Sequence, residues 1–272
     1  MERGMWSVKS EWEDRVLLSS SRQQEPSPLS SGRFRLTESG ALSGTVRMLR
    51  LTGDTSAITA PGQFVMVTVP GKFLRRPFSV CDWDAEEGWL TLLVERVGSG
   101  TELLHALEPG AELDVLTGLG NGFTLDHAGG APLLIGGGSG VGALYGLCRA
   151  LLAAGKSVTA ALCFRSAEQI YYVNQLKALG AAVRVYTEDG GAGTRGRATD
   201  ALALPHSSLY ACGPVAMLAA LDGLESGPAQ LSLEARMGCG FGACMGCTIE
   251  TAAGARRVCR DGPVFPGKAV VW

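Results

Sequence analysis

Leu133-Leu134-Ile135-Gly136-Gly137-Gly138-Ser139-Gly140-Val141-Gly142 is the stretch that decides the fold. Three apolar residues follow the turn residues Gly129-Gly130-Ala131-Pro132 and end in glycines, the pattern of a short strand buried on both faces. The glycines turn the chain, and residues 143–154 continue with helical spacing. The same alternation then recurs. Residues 158–164 and 183–187 read as strands, and Leu209-Tyr210-Ala211-Cys212 ends another at Gly213-Pro214. Residues 170–179 and 217–224 read as helices. Strand–helix alternation predicts βαβ units and a doubly wound parallel sheet, here over residues 129–229.

In such a sheet, ligands sit beyond the carboxyl ends of the strands. A strand that turns through glycines into a helix lets a phosphate approach backbone N–H groups, which makes Gly136, Gly138 and Gly140 candidates. The run is not the strict G-x-G-x-x-G pattern, and no acidic residue stands at the expected ribose position. A tight turn with close helix–sheet packing is the plain alternative. At a second strand end, Cys212, Gly213 and Pro214 form a flat shelf for a planar ring. No base near Cys212 in sequence would make it a nucleophile. A third end, Phe164-Arg165-Ser166, is placed to meet an adenosine ribose or a 2′-phosphate.

Residues 33–128 read as all-β, with strands at 44–51, 63–69, 78–82, 89–97 and 112–116 and one short helix at 101–107. Short strands at this density predict a small barrel or sandwich. Arg75-Arg76-Pro77-Phe78-Ser79 puts a bidentate cation, a rigid proline and a hydroxyl at a strand start. Gly98-Ser99-Gly100-Thr101 opens the short helix as a second potential anion cradle. A solvated pair on a loop is the alternative for the arginines.

The last segment, residues 230–272, holds Cys239, Cys244, Cys247 and Cys259 in Met237-Gly238-Cys239-Gly240-Phe241-Gly242-Ala243-Cys244-Met245-Gly246-Cys247 and beyond. C-x4-C-x2-C with a distant fourth cysteine is the plant-type spacing for a [2Fe–2S] cluster, a carrier of single electrons. Zinc sites usually show two short C-x2–4-C knuckles. A structural zinc or a disulfide pair are the competing readings.

Bulk properties narrow the class. The 272 residues are 46% hydrophobic and 18% charged, with 24 Lys and Arg against 26 Asp and Glu. That balance indicates neither a nucleic-acid surface nor a strongly acidic one, and no apolar run is long enough to span a membrane. Residues 1–32 are polar and turn-rich, without the apolar core of a secretory signal, and read as a mobile extension or a misassigned start. Eight cysteines without such a signal point to a reducing, cytoplasmic setting. Cys81, Cys148, Cys163 and Cys212 are expected to be buried small hydrophobes. His105, His127 and His206 show no ligand spacing.

Taken in order, Pro61-Gly62-Gln63-Phe64, Arg76-Pro77-Phe78-Ser79, Gly98-Ser99-Gly100-Thr101, Gly120-Asn121-Gly122-Phe123, the 136–142 glycine run and Cys212-Gly213-Pro214 resemble the ferredoxin-reductase family. Ser232-Leu233-Glu234-Ala235-Arg236-Met237-Gly238-Cys239 and Cys259-Arg260-Asp261-Gly262-Pro263-Val264-Phe265 are similar, within it, to the dihydroorotate dehydrogenase B electron-transfer subunits. The resemblance covers residues 33–272. It implies an antiparallel flavin-binding β-barrel, a doubly wound parallel-sheet nucleotide domain and a small C-terminal [2Fe–2S] segment. It also implies FAD, NAD as substrate, and an FMN-containing dihydroorotate dehydrogenase catalytic subunit as partner, in a heterotetramer of two of each. Carried over, Arg76, Pro77, Phe78 and Ser79 hold the flavin and its phosphates. Val94, Glu95 and Arg96 line its other edge, and Gly100 and Thr101 lie on the pyrophosphate side. At Glu95 the family often has an aromatic residue, so backbone contact rather than ring stacking is implied there.

A flavin fits the chemistry, because nicotinamide delivers two electrons as hydride and the cluster accepts one at a time. A reductase subunit serving ferredoxin or a hydrogenase shares most of these motifs. A zinc-stabilised interaction module on a degenerate reductase scaffold is the reading from a different class.

Overall fold

A computed structural model describes residues 29–272. Its first half closes into a six-stranded antiparallel barrel of β1 (Ser30–Ala41), β2 (Val46–Thr52), β3 (Phe64–Val67), β4 (Arg76–Asp84), β5 (Trp89–Glu95) and β6 (Glu112–Leu119). The strand order is β1-β2-β5-β4-β3-β6. Alternate residues fill the interior: Phe34 and Leu36, Leu49 and Leu51, Val65 and Val67, Leu90, Leu92 and Val94, Leu113 and Val115. Period-two apolar positions on every strand are what a small closed barrel requires. Helix α1 (Ser99–His105) packs Leu104 into this core.

Strand β1 is not among the strands read from the sequence, and it begins inside the expected extension. Ser30, Ser31 and Gly32, assigned above to the extension, pair with Thr117, Leu116 and Val115 of β6. A backbone ladder needs no apolar side chain, so a polar start to a strand is silent in the hydrophobic pattern. Residues 1–28 of the expected extension lie outside the described residues.

The second half is a seven-stranded sheet in the order β10-β9-β8-β7-β11-β12-β15. Its strands are β7 (Pro132–Gly137), β8 (Thr159–Phe164), β9 (Ala182–Thr187), β10 (Thr194–Arg195), β11 (Ser208–Cys212), β12 (Ala229–Ser232) and the antiparallel edge β15 (Val264–Pro266). The helices are α2 (Val141–Ala153), α3 (Val173–Leu179), α4 (Val215–Leu224) and the short α5 (Val258–Asp261). Neighbouring residues of β7 enter different cores. Leu134 joins Leu144, Leu147 and Leu151 of α2 and Leu176 of α3. Leu133 and Ile135 join Leu218 and Leu221 of α4. Burial on both faces explains the unbroken apolar run of this strand.

The C-terminal segment is less separate than its sequence implies. A boundary at 229/230 falls inside β12, and β15 returns to extend the sheet. The remaining part, with hairpin β13 (Thr248–Thr251) and β14 (Gly254–Arg257), carries the four cysteines. Cys247, Val258 and Cys259 share one core with Phe64, Met66, Leu116 and Leu119 of the barrel and with Leu231 of the sheet. The segment is thus wedged between barrel and sheet.

Barrel and sheet meet closely along α2. A Cβ on Gly142 would lie 3.3 Å from the Leu93 side chain, and one on Gly146 would lie 3.1 Å from the Cys81 carbonyl oxygen. Two glycines four apart on one helix face open the groove that β4 and β5 occupy. Arg149 fastens the seam, with Nη2 2.9 Å from both Asp82 Oδ1 and the Trp83 carbonyl oxygen. The N-terminus of α2, where the glycine run ends, therefore faces the strands that carry the flavin-type motif. Among the described residues no helix is long and apolar enough to cross a membrane.

Candidate functional site

The cysteine loop is shaped by glycines that have no substitute. Gly240 has φ +83°, and a Cβ there would meet Met66 Cγ at 2.5 Å. Gly242 has φ +91°, with Arg260 Cδ 2.8 Å from the would-be Cβ. The loop is pinned from outside by Arg257, whose Nη1 donates to the Gly242 carbonyl at 2.8 Å. Arg257 is itself held by Asp261, which accepts its backbone N–H at 2.7 Å.

The four cysteines pair two by two. The Cys244 N–H donates to Cys239 Sγ at 3.5 Å, and the Cys259 N–H donates to Cys247 Sγ at 3.4 Å. Partial burial acts to raise the Cys239 thiol, but N–H groups of Cys244, Phe241 and Ala243 outweigh it and bring its pKa down to about 6. Burial, with Cys247 and Cys239 nearby, pushes Cys259 up to about 12. No three or more His, Cys, Asp or Glu side chains among the described residues converge on a position for one metal ion. Cys239 lies with Cys244, and Cys247 with Cys259, a pairing that fits a cluster of two irons, each taking two cysteines. Cys244 is exposed at the rim, while Cys247 and Cys259 are buried.

Arg76, Pro77, Phe78 and Ser79 open β4, all half-buried, and pair with Val67, Met66, Val65 and Phe64. The two arginines have different fates. Arg75 is tied to Asp114 and to Thr68 Oγ1, so it belongs to the barrel wall. Arg76 donates from Nη1 to the Leu74 carbonyl at 2.7 Å and lies against Gly100, where a Cβ would come 3.1 Å from Nε. The absent side chain at Gly100 is what lets this guanidinium lie on the start of α1. Thr101 acts on the backbone: Oγ1 accepts the Val97 and Gly98 N–H groups and donates to the Gly98 carbonyl. Its hydroxyl builds the cradle rather than pointing from it. Val94 and Glu95 end β5, with Val94 in the barrel core, and Arg96 donates to the Gly44 carbonyl.

The glycines of the run let the turn pack closely against β11 and α2, the plain alternative to a phosphate site. A Cβ on Gly140 would lie 2.1 Å from the Cys212 carbonyl oxygen, and one on Gly136 would lie 3.0 Å from the Val141 side chain. Gly138, at φ +53°, has open space where a Cβ would point. Cys212 pairs with Gly136 across β11 and β7, and Gly213 abuts Gly137, so the two strand ends form one shelf capped by Pro214. Cys212 is fully buried, and burial, followed by the Glu234 charge, raises its thiol well above the ordinary range. It stays protonated and is no nucleophile. Burial likewise pushes Cys81, Cys148 and Cys163 up to about 12.

Of the site residues expected from sequence, Glu95, Gly138 and Pro214 line a cleft of about 520 Å³ that runs from Thr45 and Val46 past Gly137 and Ser139 to Arg165, Glu188 and Arg197, whereas residues 76–79, Gly100, Thr101, Gly136, Gly140 and Cys212 do not line it. Several residues in it were not legible as site residues. Tyr171 lines the cleft and donates to the Gly138 carbonyl at 2.5 Å, but it reads in sequence as part of a helix. Glu188 also lines the cleft. It arrives from the end of β9 instead of the strand that directly follows the glycine turn. Its one signal was Thr187-Glu188-Asp189-Gly190, a strand end running into a turn. Glu234, just upstream of the cysteine loop, accepts the Ser139 hydroxyl at 3.3 Å and so ties the glycine turn to the cysteine segment. Its carboxyl is raised by the protein packed around it and by Glu95, against the Ser139 bond.

The geometry agrees with what known proteins share with this chain. Residues 234–271 match the iron-sulfur cluster binding domain of dihydroorotate dehydrogenase B. The electron transfer subunit of dihydroorotate dehydrogenase B (NAD(+)) from Bacillus caldolyticus is 44% identical over 225 residues, 78% of this chain and 86% of that protein. Its counterpart in Geobacillus thermodenitrificans is 43% identical over 238 residues, 82% of this chain and 91% of that protein. Among solved structures, an NADH-dependent reduced ferredoxin-NADP oxidoreductase studied for flavin-based electron bifurcation superposes with a TM-score of 0.81 at 29% identity, over 88% of this chain and 90% of that one. Phthalate dioxygenase reductase shares the fold, with a TM-score of 0.59 at 18% identity over 82% of this chain and 87% of its own. The chain belongs to the family of electron transfer subunits of dihydroorotate dehydrogenase B (NAD(+)).

Proposed function

We propose that this chain passes electrons between NAD and an FMN-containing dihydroorotate dehydrogenase catalytic subunit in pyrimidine biosynthesis. In this reading the assembly is a cytoplasmic heterotetramer of two of each subunit. The observation that carries it is the wedge position of two cysteine pairs between the barrel strands β3 and β6 and the nucleotide-type sheet.

Bound FAD and a [2Fe–2S] cluster supply the exchange between hydride and single electrons and its onward relay. The chain's own residues place and insulate these groups. Cys239 and Cys244 would hold one iron, and Cys247 and Cys259 the other. Arg76 contributes a fixed cation toward the flavin pyrophosphate, and Gly100 leaves it room. Pro77, Phe78 and Ser79 present the strand edge to the ring system, while Glu95, Arg96 and the backbone of the core residue Val94 close the far side. Gly136, Gly138 and Gly140 bring the nicotinamide nucleotide's phosphates to the turn before α2. Gly213 and Pro214 offer the shelf for its ring, and the buried, protonated Cys212 adds no competing charge there. No acid–base group is required beyond proton exchange with water, since dihydroorotate gives up its electrons at the partner.

Exposed Phe241 and Met245 flank Cys244, an apolar rim on which a partner would dock and exclude water from the electron path. A second reading rests on the 0.81 superposition: a reductase subunit serving ferredoxin. Co-expression with an FMN-binding barrel enzyme, purification, and assay of dihydroorotate-driven NAD⁺ reduction separates them. A coloured complex that couples the two reactions supports the first reading. A flavin and cluster without coupling supports the second.

A further inference from the structure

The strand registers of the barrel put four polar residues in one row on its outer face. Glu38 of β1 stands opposite Arg50 of β2, Arg50 opposite Thr91 of β5, and Thr91 opposite Asp82 of β4. The row lies toward the other end of β4 and β5 from residues 76–79 and Glu95. Tyr145 of α2 and Tyr172, the N-cap of α3, cover it and complete a cavity of about 260 Å³, which shares no lining residue with the cleft described above. The groups of the row leave hydrogen-bonding capacity unused. Thr91 is 3% exposed, and its Oγ1 is buried without a hydrogen-bond partner among the described residues. A buried hydroxyl left so is costly. Arg50 lies over the Trp89 ring at 4.0 Å, and among the described residues its guanidinium forms no ion pair with Glu38 or Asp82. Asp82 gives Oδ1 both to Arg149 and to the Trp83 N–H, and Oδ2 has no partner among the described residues. Burial raises the Asp82 carboxyl above its ordinary value, and the Arg149 charge offsets this only in part. Tyr145 and Tyr172 meet edge to face with ring centroids 5.2 Å apart, an aromatic wall beside the row. Tyr172 holds the left-handed conformation at φ +64°, rare for an aromatic residue, and lines this cavity while the adjacent Tyr171 reaches the Gly138 carbonyl.

We infer that this cavity is a binding site for an α-amino acid with an apolar side chain, set at the seam between barrel and sheet. The order of the groups carries the inference. A guanidinium, a hydroxyl and a carboxylate stand on three adjacent strands, spaced about 5 Å apart. A carboxylate placed between Arg50 and Thr91 accepts from the guanidinium and from the hydroxyl, which gives Thr91 the partner it is without. The ammonium one carbon away then donates to Asp82 and lies against the aromatic wall, since cations are attracted to the faces of such rings. The side chain is left beside Leu42 and Met48, the apolar part of the lining. A plain cation would meet Arg50 as a like charge, and a plain anion would meet Asp82 and Glu38. The row therefore selects a small molecule that carries both charges.

The test is calorimetric titration of the flavin- and cluster-loaded protein with L-leucine, against 4-methylpentanoate, which has no ammonium, and 3-methylbutylamine, which has no carboxylate. L-Leucine binds, and each one-charge analogue binds at least about tenfold more weakly, the scale of one hydrogen bond to a charged group. Thr91→Val and Arg50→Met each weaken L-leucine binding by about tenfold or more for the same reason. NADH affinity stays at the wild-type value in both, because neither side chain lines the nucleotide-type cleft. Absence of L-leucine binding at millimolar concentration, in which case Thr91 faces water only, overturns the site. Analogues that bind as tightly as L-leucine, or binding that both variants leave intact, overturn it equally.

Discussion

Replacing Gly140 by alanine is the sharpest test of how the nucleotide-type turn is built. The added carbon would lie 2.1 Å from the Cys212 carbonyl oxygen, 2.3 Å from its carbonyl carbon and 2.6 Å from the Gly213 nitrogen. All three are backbone atoms, so no side-chain rotation relieves the contact. Real Cβ atoms essentially never approach closer than 3.0 Å, so the turn and the end of β11 must separate by close to an ångström. Both sides are buried, and overpacking of this kind typically costs about 1–3 kcal/mol. A backbone-to-backbone clash belongs at the upper end, about 3 kcal/mol. The shift also moves Gly136–Ser139 away from Pro214, so NADH affinity falls by about tenfold or more, as expected when bound geometry is lost. Gly138→Ala is the matched control. Its Cβ would meet nothing within 4 Å, and only the positive φ is strained, at about 1–2 kcal/mol. Urea unfolding of both variants and NADH titration of the loaded protein read the two effects. Gly140→Ala as stable as the wild type, with normal NADH binding, would refute the close-approach argument.

Three other outcomes follow from the same geometry. Cys244→Ser removes one of the outer thiolates and is expected to abolish electron delivery to the partner while flavin reduction by NADH largely persists, measured by stopped-flow absorbance; loss of both means that the loop holds the fold. Asp222 anchors the C-terminal tail, accepting the Lys268 N–H and the Trp272 indole N–H at 2.8 Å each. Asp222→Ala should cost about 3 kcal/mol, the scale of two hydrogen bonds to a charged group, and should expose the tail to limited proteolysis. The Glu225 carboxyl is held below its ordinary value: burial opposes this, but the Gly227 N–H, His206 and the Ser226 N–H outweigh it. Its contribution is present above the unfolded carboxyl value and is lost as pH falls through the folded one, because the unfolded chain takes the proton first. Melting temperatures measured from pH 7 down to pH 4 should therefore fall less steeply for Glu225→Gln than for the wild type.

What could be read from residues alone was the local chemistry. The glycine run, the strand–helix alternation after it and the cysteine spacing each carry a physical reason within a few residues of themselves. Strand β1 escaped because only Phe34 and Leu36 of its first seven residues face the core, and its partner β6 lies far along the chain. The return of β15 to the sheet is likewise a tertiary pairing with no local signature. Arg75 and Arg76 look equivalent in sequence, and only the position of Asp114 separates the one tied into the barrel wall from the one that lies against Gly100. Glu188 reaches the cleft from the end of β9, one strand beyond the one that follows the glycine turn, a placement that spacing along the chain does not show.

If one chain holds a flavin and a two-iron cluster in electronic contact with a nicotinamide site, NADH must reduce both. Anaerobic titration of the purified, cofactor-loaded chain with NADH, followed by visible absorbance and electron paramagnetic resonance with metal analysis, tests it most directly. The expected result is bleaching of the flavin together with a paramagnetic signal from a reduced [2Fe–2S] cluster, and two irons per chain. A colourless protein with one zinc per chain, or a cluster that NADH cannot reduce through the flavin, would contradict it.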